Sequence, residues 1–214
     1  MESPLELTNF VSNQNKLMSI LNAFLLKTSS VKKIGVLFVS SHFVLLLMML
    51  YTFPVINNQI GIKAFDLQTF GYSVSEAKLI LKNLNDPTID LYLFPQLTLL
   101  DILYPFLLAL FLSSLLFRLI KITGVRSRFT SIFLILPFLS MIFDYSENVC
   151  IILMISESIE FSETIVLLSS TFTILKGMLT SIAWMIILIV AIIWIRMKML
   201  KRSNKRTFTS YKTL

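Results

Sequence analysis

The chain has one cysteine, one histidine and five glycines in 214 residues. With Cys150 alone there is no internal disulfide, no CxxC redox pair and no cysteine-built zinc site. With His42 alone there is no histidine cluster of the kind that metal hydrolases use. HExxH, GxSxG, P-loop and glycine-rich dinucleotide patterns are all missing. The expectation is therefore no cofactor, no metal centre and no catalytic residue that a motif would assign. An enzyme is disfavoured without being excluded. Charge is also scarce: 14% of residues are Asp, Glu, Lys or Arg, against about 25% in soluble proteins.

Long apolar runs take the place of charge. Apolar residues make up 56% of the chain, and the mean hydropathy is +0.80. Four runs at about 34–54, 97–117, 129–155 and 171–195 have the length a membrane-spanning helix needs. The expected fold is an all-α membrane protein, a bundle of four transmembrane helices. Its parts are an N-terminal segment 1–33, a membrane domain 34–195 with an outer loop 55–96, and a basic tail 196–214. The first run is read as an uncleaved anchor. It is long for a signal peptide, 33 residues precede it and no small-x-small cleavage site follows.

Basic residues segregate. Lys27, Lys32 and Lys33 precede the first span, and Arg118, Lys121, Arg126 and Arg128 flank the second connection. Seven more run from Arg196 to Lys212, whereas the outer loop holds only Lys63, Lys78 and Lys82. The positive-inside rule then places both termini in the cytoplasm. The net charge of +7 becomes a topology signal, with the tail positioned to attract anionic lipid headgroups. Nucleic acid is not an expected partner, because no folded module accompanies the tail. The expected partners are the lipid bilayer and a membrane-protein partner or a second copy of the chain.

Leu17, Ile20, Leu21, Phe24 and Leu25 form an apolar stripe at helical spacing between Lys16 and Lys27. This predicts an N-terminal amphipathic helix, lying at the interface or packed on the ends of the spans. In the outer loop Ser73-Val74-Ser75-Glu76 is a capping box. It predicts an amphipathic helix over 74–84 with Val74, Ala77, Leu81 and Leu84 on its apolar face, stopped by Asn85-Asp86-Pro87.

The spans contain ionisable residues. A charge in hydrocarbon is costly and survives only if paired, wetted or used. Counting up from the nearest cytoplasmic arginine at about 1.5 Å per residue, Asp101 lies about 26 Å, Asp144 about 24 Å, Glu147 about 29 Å and Lys176 about 30 Å from that side. The four thus reach one level. Asp144, Glu147 and Asn148 share a helix face, as do Thr173, Lys176 and Thr180. Lys176 is expected between the carboxylates, with Glu147 the preferred partner. One lysine against three carboxylates leaves acid in excess, so a proton or cation has a place there.

Other polar positions have plainer readings. His42 reads as a packing residue and Cys150 as apolar filler. Pro137 reads as a kink in the third span. Glu157, Glu160 and Glu163 read as a solvated acidic turn, with recruitment of a divalent cation the alternative.

Gly71-Tyr72-Ser73, Glu76-Ala77, Leu100-Asp101, Tyr104-Pro105, Phe143-Asp144, Glu147-Asn148 and Thr173-x-x-Lys176 together resemble a family of small four-span membrane proteins with a D-x-x-E-N motif in the third span. The resemblance covers about residues 65–180 and implies no reaction. Three functional readings stand. In the first, a non-enzymatic membrane protein has a polar cluster of Asp101, Asp144, Glu147, Asn148 and Lys176 that stabilises the bundle and binds an ion or small polar ligand. The second is a proton- or cation-coupled transporter or channel subunit, and the third is an enzyme of lipid chemistry.

Overall fold

A computed structural model describes residues 18–125, 129–158 and 160–210, with side chains to 200. Among the described residues the regular structure is helical, with no strand. The helices are α1 Met18–Thr28 and α2 Val31–Ile60. They are followed by α3 Val74–Asn83, α4 Asp86–Leu91, α5 Asp101–Thr123, α6 Thr130–Ile155 and α7 Glu163–Ser210. Four stretches are long and apolar enough to cross a membrane: Val31–Ile60, Asp86–Thr123, Thr130–Ile155 and Glu163–Leu200. This is the make-up of a multi-pass helical membrane protein.

The helices run further than the apolar runs suggest. The first does not stop near Pro54. A π turn at Met48–Thr52 comes just before the proline, and the helix continues to Ile60. The wider turn lets the helix pass Pro54, which has no N–H to donate. Gly61, at φ +75°, then ends the helix. Upstream of α5 the chain coils through π-type turns at Tyr92–Leu100 and leaves helical geometry at Phe94. The uninterrupted second span therefore starts close to the expected 97. The last helix carries on through the basic segment to Ser210.

The expected loop helix is α3. Ser73 Oγ accepts from the Glu76 N–H at 3.2 Å, and Glu76 Oε2 accepts from the Ser73 N–H at 2.7 Å. The latter bond holds the Glu76 carboxyl below the usual carboxylate range. Its contribution is thus present above about pH 4.3 and lost as pH falls through the lowered value. The buried face centres on Ala77 and Ile80, while Val74, Leu81 and Leu84 are half-buried and Lys78 and Lys82 exposed. Ile80 belongs to this face and was not among the expected positions. Asn85 also does more than stop α3: its side chain accepts from the Thr88 N–H at 3.1 Å and opens α4, with Pro87 in the first turn.

In α1, Leu25 is buried and Leu21 half-buried against the bundle, whereas Ile20 and Phe24 face outward. Lys16 and Leu17 lie outside the described residues, as do Arg126, Arg128 and the side chains of the tail beyond Leu200.

Two apolar cores form. One gathers Met48, Phe53, Phe65, Tyr92, Leu97 and Ile151. The other gathers Leu25, Phe111, Leu116, Leu134, Ala183 and Ile187. Along α5, α6 and α7 the residues between the two cores include Asp101, Ser140, Asp144, Glu147, Thr173, Lys176 and Thr180. A polar layer therefore separates the cores. The helix pairs in extended contact are α6 with α7, α5 with α6, α2 with α5, and α5 with α7.

The loop is fastened to α7 at Gly71. At φ +81° a Cβ there would stand 2.5 Å from Ser170 Oγ and 3.0 Å from Ile174 Cδ1, and the same Ser170 Oγ accepts from the Tyr72 N–H at 2.8 Å. Gly61 has a similar φ and open space around it. Gly61→Ala should cost about 1 kcal/mol from backbone strain alone. Gly71→Ala should cost clearly more, because it also dislodges Ser170. Thermal unfolding of both variants in detergent checks this, and equal losses would mean that the loop is not clamped there.

Candidate functional site

Lys176 is the centre of the polar layer. Its Nζ stands 2.6 Å from Asp144 Oδ1 and 2.6 Å from Glu147 Oε2. The spacing explains the grip, since residues three apart on α6 point the same way and one ammonium can bridge both. The lysine thus pairs equally with the two acids rather than preferring Glu147. Glu147 is 0% exposed, and an ion held that deep is tolerable only with partners. Its other oxygen, Oε1, accepts from Thr173 Oγ1 at 2.8 Å. One helical step toward the second core, Ser140 Oγ donates to the Lys176 carbonyl at 2.9 Å and lies 2.7 Å from Thr180 Oγ1. Small hydroxylated side chains let the α6 and α7 backbones approach.

Asp101 enters from α5. Pro105 has no N–H for the Asp101 carbonyl four residues earlier, so that oxygen has no helical donor. Asn148 Nδ2 donates to it at 3.3 Å, and Tyr145 Oη donates to the neighbouring Ile102 carbonyl at 2.8 Å. The proline thus provides the seam that ties α5 to α6. The Asp101 side chain is 3% exposed, and its Oδ2 has no hydrogen-bond partner; Asp144 Oδ2 is in the same condition.

Asp66 is the member that sequence reasoning missed. It lies in the turn Phe65–Leu67. Tyr92 holds this turn, accepting from the Phe65 N–H at 3.0 Å and donating to Asp66 Oδ2 at 2.6 Å. Asp66 and Asp101 line the same cavity. A lone acid flanked by Phe65 and Leu67 in an otherwise water-compatible loop was the available signal.

A cavity of about 330 Å³ lies against this layer. Asp66, Asp101, Asp144 and Lys176 line its polar side, and Leu45, Met48, Met49, Leu108, Leu112 and Met141 are among its apolar walls. Glu147 and Asn148 are not among the lining residues. The site therefore divides into an inner clamp of Glu147, Lys176 and Thr173 and a cavity-facing set of Asp66, Asp101 and Asp144.

The remaining sequence candidates lie elsewhere. His42 Nδ1 is 2.9 Å from the Phe38 carbonyl, with its ring 4.1 Å from that of Phe38. Cys150 is a buried free thiol. Among the described residues no three His, Cys, Asp or Glu side chains are grouped so as to hold a metal ion. No family model, curated protein or solved structure matches the chain.

Lys176→Met leaves two buried carboxylates without a counter-charge and should cost roughly 3–5 kcal/mol. Adding Glu147→Gln should recover only part of that loss, because Asp144 remains. The triple variant with Asp144→Asn should recover most of it. Thermal unfolding across this set measures the coupling, and additive losses would mean that the three side chains do not interact.

Proposed function

We propose that the chain is a non-enzymatic integral membrane protein with four spans and both termini in the cytoplasm. Its intramembrane polar layer fixes the register of the bundle and binds an ion or small polar ligand. The observation that carries this reading is the ammonium of Lys176 held by two carboxylates between two apolar cores. A pair that is closed on itself does not turn over, which suits a clamp better than a catalytic acid and base. The excess of carboxyl groups over ammonium along the cavity supports the ligand half of the proposal. The Asp144, Glu147 and Asn148 pattern fits the proposed kinship with small four-span proteins. The segregation of lysine and arginine supports the orientation, and the basic tail is proposed to rest on anionic headgroups.

Two measurements test this. A reporter inserted between Gly61 and Ile62 should lie across the membrane from one fused after Leu214; both on one side would refute the four-span topology. The purified protein in sealed liposomes should carry no more proton or alkali-cation flux than protein-free liposomes. Flux that disappears in Asp101→Asn would replace the clamp with a transporter.

A further inference from the structure

We propose that the cavity between α2 and α7 binds an amphiphile with a protonated amine head and takes it in from the lipid side. This rests on the membrane reading above and specifies the ligand of the same polar layer.

Charge and unmet hydrogen bonding select the head. Asp101 and Asp144 line the cavity, and each has a buried Oδ2 that lacks a partner. An unpaired buried acceptor is costly, and a protonated amine has up to three N–H groups to offer it. Asp66, with its own unpartnered Oδ1, stands on the same side. Among the described lining residues the only cation is Lys176, and it already serves Asp144 and Glu147. An anionic head would find three carboxyl groups and no free ammonium.

The walls select the tail. Leu45, Met48, Met49, Leu108 and Met141 give an apolar surface, and methionines adapt to irregular chains. A bare ion would leave that surface unused. The volume of about 330 Å³ is at the small end of the roughly 300–1,000 Å³ usual for ligand sites. It suits a head and the first part of a chain, with the remainder passing out.

Helix packing sets the route. Met48 and Met49 on α2 and Gly177, Thr180 and Ser181 on α7 border the cavity, yet α2 and α7 are not among the helix pairs in extended contact. Met49 is 44% exposed and Ser181 is exposed, which marks the gap between these helices as the mouth. Both helices are apolar spans, so the mouth faces lipid.

The full chain in phosphatidylcholine nanodiscs, titrated with decylamine, decanol, decanoate and butylamine, tests the proposal by calorimetry and melting temperature. Decylamine should bind saturably and raise the melting temperature. Decanol, decanoate and butylamine should each bind at least about ten-fold more weakly. Asp101→Asn should weaken decylamine about ten-fold and leave decanol unchanged. Gly177→Leu keeps every carboxylate and fills space, since a Cβ there meets nothing closer than the Thr69 carbonyl at 3.9 Å; it should weaken decylamine as well. Equal binding of decanol or decanoate would overturn the proposal, and so would decylamine binding that neither variant alters. Tight butylamine binding would overturn entry from lipid. If decylamine fails to bind while the Lys176 variants remain coupled, this inference falls and the clamp stands. Additive losses in those variants would instead remove the clamp.

Discussion

An ammonium and two carboxylates lie within 2.6 Å contacts between two apolar cores, and they tie α6 to α7. In such surroundings each charge alone is far more costly than the assembled group. Only one relative height of α6 and α7 lets Lys176 reach Asp144 and Glu147 together. The hydroxyls of Ser140, Thr173 and Thr180 then fall into hydrogen-bonding positions along the same seam. Apolar side chains alone would specify that register weakly, because one leucine packs nearly as well as the next against a smooth helix. On the proposed reading the polar layer supplies the alignment that apolar packing leaves loose.

The layer is closed on one side and open on the other. Glu147 is enclosed, with Oε2 2.6 Å from Lys176 Nζ and Oε1 accepting from Thr173. Asp66, Asp101 and Asp144 keep an unpartnered oxygen each and border a cavity. Stability alone would favour replacing Asp101 by an apolar residue. Local departures from the most stable choice are where function is expected in natural chains. α2 packs along α5 and is not among the helices in extended contact with α7, and both α2 and α7 border the cavity.

Much of this was legible in the sequence, and for physical reasons. Four apolar runs follow from length and hydropathy. The capping box of α3 is a local signal with a local cause, and it reads correctly from four residues. The meeting of Asp101, Asp144 and Lys176 at one level follows from the fixed rise of a helix. What was not legible depended on tertiary context. Asp66 has no helical periodicity to give it a depth, and only Tyr92, 26 residues later, carries it into the layer. The first apolar run ends near Pro54, whereas the helix passes a π turn and continues to Ile60. Asn85 was read as the end of one helix when it also caps the next. Glu147 is the preferred partner of Lys176 by counted height, whereas the long lysine side chain reaches both carboxylates on that face.

The most direct test of the account is an experimental structure of the full chain in lipid, read at the Lys176 side chain. The account predicts Nζ in direct contact with both Asp144 and Glu147, and Thr173 against the second oxygen of Glu147. A Lys176 side chain turned toward lipid or water, with the two carboxylates apart from it, would contradict the central claim.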